Sequence, residues 1–88
     1  MSKPFDIELF LQGVLTGSYA TRQRHIRQAK IMQVATQKRF GRDNPWTWQF
    51  KHFKWFEQHY LKDSSVATRY YYRLTAHLIQ SRLGKPTP

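Results

Sequence analysis

Residues 18–41 read SYATRQRHIRQAKIMQVATQKRFG. Ser18 is a good N-cap, because its hydroxyl can accept from a first-turn N–H, and Gly41 is a natural stop, because glycine takes the left-handed backbone freely. No Gly or Pro intervenes, so the stretch predicts one long helix over 19–40. Its amphipathicity is weak. At 100° per residue Tyr19, Ile26, Ala29, Met32 and Phe40 share one side, while Arg24, Arg27, Lys38 and Arg42 fall on the other with Gln28, Ile31 and Ala35. The far face is basic: positions 20–42 hold seven Lys or Arg and no Asp or Glu. The interior punctuation elsewhere also leaves stretches of helical length with little strand-like alternation, so the expected fold class is all-α.

Upstream, Ile7, Phe10, Leu11 and Val14 recur at i, i+3, i+4 and i+7, with Asp6 and Glu8 where the helix dipole favours anions. They predict a first helix over 5–15, stopped by Gly17. Downstream, Asn44-Pro45 places an N-cap before Pro at N1 and predicts a third helix over 45–61. Its aromatic load forms two stripes, Trp46, Phe50, Phe53, Phe56 and Tyr60 on one side and Trp48, His52, Trp55 and His59 opposite. A helix lying between two others needs two apolar faces, which makes both stripes expected core. The second stripe is otherwise a stacking or docking surface for a catalytic domain or a second protomer.

Asp63-Ser64-Ser65 caps a fourth helix over 66–83, closed by Gly84 with Pro86 behind it. Ala67, Tyr70, Tyr71, Leu74 and Leu78 form its expected apolar face and Tyr72, Ile79 and Leu83 a second strip. Arg69, Arg73 and Gln80 lie between them. The tyrosines 70–72 are read mainly as core. The whole predicts one compact four-helix domain over 1–88, with a short flexible tail at about 85–88.

Eighty-eight residues carry 15 Lys+Arg against 5 Asp+Glu, a formal charge of +10. A chain this short buries only ~60–65% of its unfolded surface, which leaves one core and one working surface and little room for a deep enzymatic cleft. Without Cys there is no disulfide framework, thiol nucleophile or zinc-thiolate site, and a cytoplasmic, nucleoid-associated setting fits. No stretch approaches the ~20 apolar residues that span a bilayer, so a membrane is not an expected partner. At 40% hydrophobic and 16% aromatic the chain is a folded basic module rather than a disordered tail. Such a charge speeds encounter with polyanions.

The charge is uneven. Positions 1–19 carry −1, 20–42 carry +7, 43–63 are neutral and 64–88 carry +4. The second and fourth helices therefore hold the excess, without the Glu that usually mixes with Lys on a solvated face. A short echo links their starts: Ser18-Tyr19-Ala20-Thr21-Arg22 and Ser65-Val66-Ala67-Thr68-Arg69. A Ser-capped first turn with a Thr hydroxyl and an Arg suits a phosphate. The candidate contacts to double-stranded DNA are Thr21, Arg22, Arg24, Arg27, Gln28, Lys38 and Arg42 on the second helix and its end, and Thr68, Arg69, Arg73 and Gln80 on the fourth. Eight Arg against seven Lys suit phosphates and guanine edges alike.

Catalytic and metal chemistry find no foothold. His52 and His59 lie about 10 Å apart along a helix, too far to share a metal without a further ligand. The acids Asp6, Glu8, Asp43, Glu57 and Asp63 sit at caps and helix ends, no carboxylate pair stands out, and no spacing singles out Ser18, His25, Tyr72 or His77 as a nucleophile arrangement. No cofactor is expected.

Helix order, the distribution of basic residues and the helix starts together resemble the N-terminal core-binding domain, SAM-like in fold, of tyrosine recombinases and phage-type integrases. Ser18-x-x-Thr21-x-x-x-His25 resembles that family's start of the second helix. Ser65-x-x-Thr68-x-x-x-Tyr72 and Leu83-Gly84-Lys85 resemble the start and close of its fourth. The resemblance implies that the second and fourth helices face the DNA major groove, that the module clamps a recombination site, and that it performs no chemistry by itself. The aromatic third helix departs from the family's pattern. Two alternatives stay open: a helix-turn-helix-like transcriptional regulator, which would favour palindromic sites, and a single-strand or RNA binder that stacks bases on Trp and Tyr.

Overall fold

In the computed structural model, which describes residues 3–84, the long central helix forms as its caps dictate. This helix, α2, spans Tyr19–Phe40. Ser18 Oγ accepts from Thr21 N–H at 3.2 Å and donates to Thr21 Oγ1 at 3.0 Å. At the other end Gly41 takes φ +70 and donates its N–H to the Gln37 carbonyl. The fourth helix, α4, spans Val66–Arg82, and Ser65 repeats the same cap on Thr68 at 3.1 and 3.0 Å. The expected tail at 85–88 lies outside the described residues. No strand forms among the described residues, and the Cα radius of gyration, 12.3 Å, is that of a packed chain of this length.

The first helix, α1, is shorter than expected, Ile7–Leu11 rather than 5–15. Asp6 caps it, its carboxylate accepting from Leu9 N–H at 3.0 Å. Beyond Leu11 the ladder tightens: Gln12 N–H donates to Leu9 and Val14 N–H to Leu11, both three residues back. Gly13, with the backbone freedom that disfavours a helix interior, sits in this turn. Ile7, Phe10 and Leu11 are nevertheless buried, with Val14 and Leu15 packed against them. Gln33 of α2 ties the entry strap down, its amide donating to the Phe5 carbonyl at 2.7 Å and the Asp43 carbonyl at 2.9 Å.

The third helical segment departs most from expectation. Asn44-Pro45 opens a single 3₁₀ turn, Pro45–Thr47, and not a helix over 45–61. The chain then extends through Trp48 (ψ 139) and Gln49 (ψ 167) before α3 begins at Phe50. Burial of Trp48 accompanies the break: its ring is 1% exposed, packs edge-on to Phe53, and its Nε1–H donates to the Arg42 carbonyl at 2.8 Å. Placing a large ring and satisfying its N–H outweighs the few tenths of a kcal/mol per residue in helix propensity. Helix α3 covers Phe50–Trp55 and is capped by His52, whose Nδ1 accepts from Gln49 N–H at 2.8 Å. It continues as one π turn, Phe56–Tyr60, closed by Leu61 N–H on the Phe56 carbonyl. The wider turn lets Phe56 and Leu61 both reach the core.

The core joins Ile7, Phe10 and Leu11 of α1, Ala29, Met32 and Ala35 of α2, Trp48, Phe53, Phe56 and Leu61 of the third segment, and Ile79 of α4. Of the two expected aromatic stripes, Phe53, Phe56, Trp48 and His52 are buried, while Trp46, Phe50, His59 and Tyr60 are exposed. The expected face of α4 is also corrected. The expected second strip, Tyr72, Ile79 and Leu83, does face inward, together with Leu78 of the expected broad face and with Thr75, Ala76 and Gln80, whereas Ala67, Tyr70 and Tyr71 face solvent. Hydrogen bonds from Thr75 to Gln28 and with His25 of α2 hold this face inward.

Candidate nucleic-acid interface

The two Ser-capped helices pack on each other through a buried polar seam. The Thr75 hydroxyl donates to Gln28 Oε1 at 2.9 Å, which leaves its oxygen to accept from His25 Nδ1 at 2.8 Å. Burial first, and the neighbouring Arg24 guanidinium second, hold the His25 imidazole below its usual pKa of 6.5. One turn nearer the helix starts, the Arg24 guanidinium lies 4.4 Å over the Tyr71 ring. The pairs Gln28–Thr75 and Arg24–Tyr71 are both 47 positions apart, the offset that also separates Ser18 from Ser65. Equivalent positions of the two echoing helices therefore meet, and the echo has a structural counterpart.

The first-turn N–H groups of a helix have no partner within it, and here the Thr21 and Thr68 hydroxyls, having accepted from Ser, keep their own proton to donate. Arg22 and Arg27 are exposed on the early turns of α2. Lys38 is exposed near its end, and Arg42, just beyond, leans on the Thr47 carbonyl at 3.4 Å. Arg24 is half-buried, with Nε enclosed against Tyr71. On α4, Thr68 is exposed, Arg69 is half-buried, and Arg73 holds Glu57 Oε1 at 2.6 Å.

The expected contacts do not all share one surface. Gln28 and Gln80 are buried, the first in the polar seam and the second beneath α4, so neither reaches a duplex from this conformation. Arg69 and Arg73 project from the side of α4 that faces α3, while Tyr71, under Arg24, lies almost opposite on the helix. The cations thus form two patches, one along α2 and one at the α3–α4 side. Lys30 is tied to Glu8 at 3.5 Å, and Arg82 is a structural cation, its Nε donating to the Phe10 carbonyl between the Phe10 and Trp46 rings.

Three further exposed side chains stand near these patches, Lys54, Tyr70 and Tyr71. Lys54 stands beside the α4 patch but belongs to a segment with no net charge. Apolar periodicity turns Tyr70 and Tyr71 inward, but with Thr75 buried they are 54% and 39% exposed. Tyr72 does turn inward against Phe56; burial, then nearby Tyr60, pushes its hydroxyl pKa above 10.0, with Arg27 partly opposing, so it stays protonated. No helix among the described residues is long and apolar enough to cross a membrane. A scan against family models and searches of curated proteins and of solved structures return no match to this chain.

Proposed function

We propose that the chain binds double-stranded DNA through α2 and α4, as the non-catalytic core-binding domain of a site-specific recombinase of the tyrosine-recombinase or phage-integrase type, clamping a recombination site in the nucleoid. The carrying observation is the pairing of two long helices that contain no Asp or Glu, joined in one register and started by the same Ser–Thr cap. Arg22, Arg27 and Lys38 offer phosphate or base contacts from α2, and Thr68, Arg69 and Arg73 offer them from α4. Thr21 and Thr68 hold phosphates at the two helix starts.

Fluorescence anisotropy with labelled duplex and single strand of equal length, at two salt concentrations, tests this. The reading expects tighter duplex binding and a log K that falls with log salt at about −0.9 per phosphate neutralised. The exposure of Tyr70 and Tyr71 favours a second reading, in which unpaired bases stack on the tyrosines. A preference for the single strand would select it. Affinity for neither polymer would reject both.

A further inference from the structure

A cleft of about 370 Å³ lies between α3 with its π turn and α4. Phe50, Phe53, Phe56 and Tyr72 give it an apolar aromatic wall. Gln80 also lines it, is only 4% exposed, and has an Oε1 with no hydrogen-bond partner. A buried carbonyl oxygen left unpaired is costly, and native interiors pair nearly all of them with protein, ordered water or a bound group. At the rim stand Lys54 and Arg69, neither in an ion pair among the described residues, whereas the one rim acid, Glu57, is already neutralised by Arg73 at 2.6 Å.

We propose that this cleft binds a nucleotide unit, with a flat heterocycle against the aromatic wall and a phosphate at Lys54 and Arg69. Each feature selects against another occupant. A purely apolar guest leaves Gln80 Oε1 unpaired, and a cation meets an uncompensated positive rim. A nucleobase edge carries N–H donors from which Gln80 Oε1 can accept, and its ring stacks on aromatic side chains. The volume lies within the range of small-ligand sites. The nucleotide comes from an unpaired position in a bound strand or from a free mononucleotide. The strand source rests on the proposed DNA binding; the free source does not.

The test has two arms. In the first, anisotropy compares a fully paired duplex with one of equal length carrying a single bulged adenine. In the second, dAMP is titrated into the labelled protein while the Gln80 side-chain amide is followed by NMR. The proposal expects the bulged duplex to bind roughly tenfold tighter, the ~1.4 kcal/mol of one recovered buried hydrogen bond, or a saturable shift of the Gln80 amide with dAMP. Gln80→Met, which keeps the volume and removes the amide, should abolish the preference while leaving paired-duplex affinity unchanged. Lys54→Gln, on the exposed rim, should weaken the same response without any risk to folding. Binding of the paired duplex with no bulge preference and no dAMP shift overturns the pocket and leaves the duplex reading standing. A dAMP shift without duplex binding supports the pocket and overturns that reading.

Discussion

Replacing Thr75 by Val keeps the shape of a fully buried side chain and removes its hydroxyl. Hydrophobic reasoning alone expects such a change, deep between α2 and α4, to be neutral or stabilising. The polar seam predicts the opposite. Without the hydroxyl, Gln28 Oε1 loses its 2.9 Å donor and His25 Nδ1 its 2.8 Å partner. An orphaned buried polar group costs ~1–3 kcal/mol. Both residues keep a sliver of exposure, 8% and 7%, through which water relieves part of this. A loss of ~2–3 kcal/mol results, and in a domain this small each kcal/mol moves Tm by ~4–8 °C, so the melt should fall by roughly 10–20 °C. Thr75→Ser retains the hydroxyl and loses one methyl, about 1 kcal/mol. Thermal melts followed by far-UV circular dichroism should therefore rank the wild type first, Ser second and Val last. A Val variant that melts with the wild type, or above the Ser variant, would refute the claim that hydrogen bonding registers the two helices.

The same seam makes stability depend on pH. The folded state holds His25 below its unfolded value near 6.5, so the unfolded chain binds the extra proton, and stability present above that value is lost as pH falls through it. Tm should drop between about pH 7.5 and pH 5, and His25→Gln should flatten that slope; an unchanged slope would place the titration elsewhere. Phe53→Ala opens the aromatic centre and should cost ~3–5 kcal/mol in urea unfolding, whereas a shift below 1 kcal/mol would mean that the site collapses without a cavity. Arg27→Ala should leave the melt unchanged, weaken duplex binding, and lower the salt slope by ~1. Unchanged affinity would remove the early turns of α2 from the interface.

The elements read most reliably from sequence are those set by local chemistry. Ser18, Ser65 and Gly41 act on backbone groups within a few residues, so the bounds of α2 and α4 are legible without knowing the rest of the chain. Asn44-Pro45 is local too, but it suits a 3₁₀ turn as well as an α-helix, and the choice rests with Trp48, whose indole finds the Arg42 carbonyl only once the chain has turned. The face of α4 was hidden for a related reason. Apolar periodicity assigns Thr75 and Gln80 outward, yet Thr75 is buried because Gln28 and His25 meet it from another helix, fifty residues away in the case of His25. At the candidate interface, charge placement is readable because Arg and Lys on long acid-free helices end up mostly exposed. The glutamines are not, since an amide suits a buried partner as well as a base edge.

The most direct measurement follows the backbone amides by ¹H–¹⁵N NMR while a short duplex is added at low salt, where even sequence-independent binding is readily observed. The account predicts that perturbations concentrate at the two helix starts, around Ser18–Arg27 and Ser65–Arg73, and saturate together. Shifts confined to α1 or to the exposed aromatics around Trp46, or none at all, would contradict DNA binding by the paired basic helices.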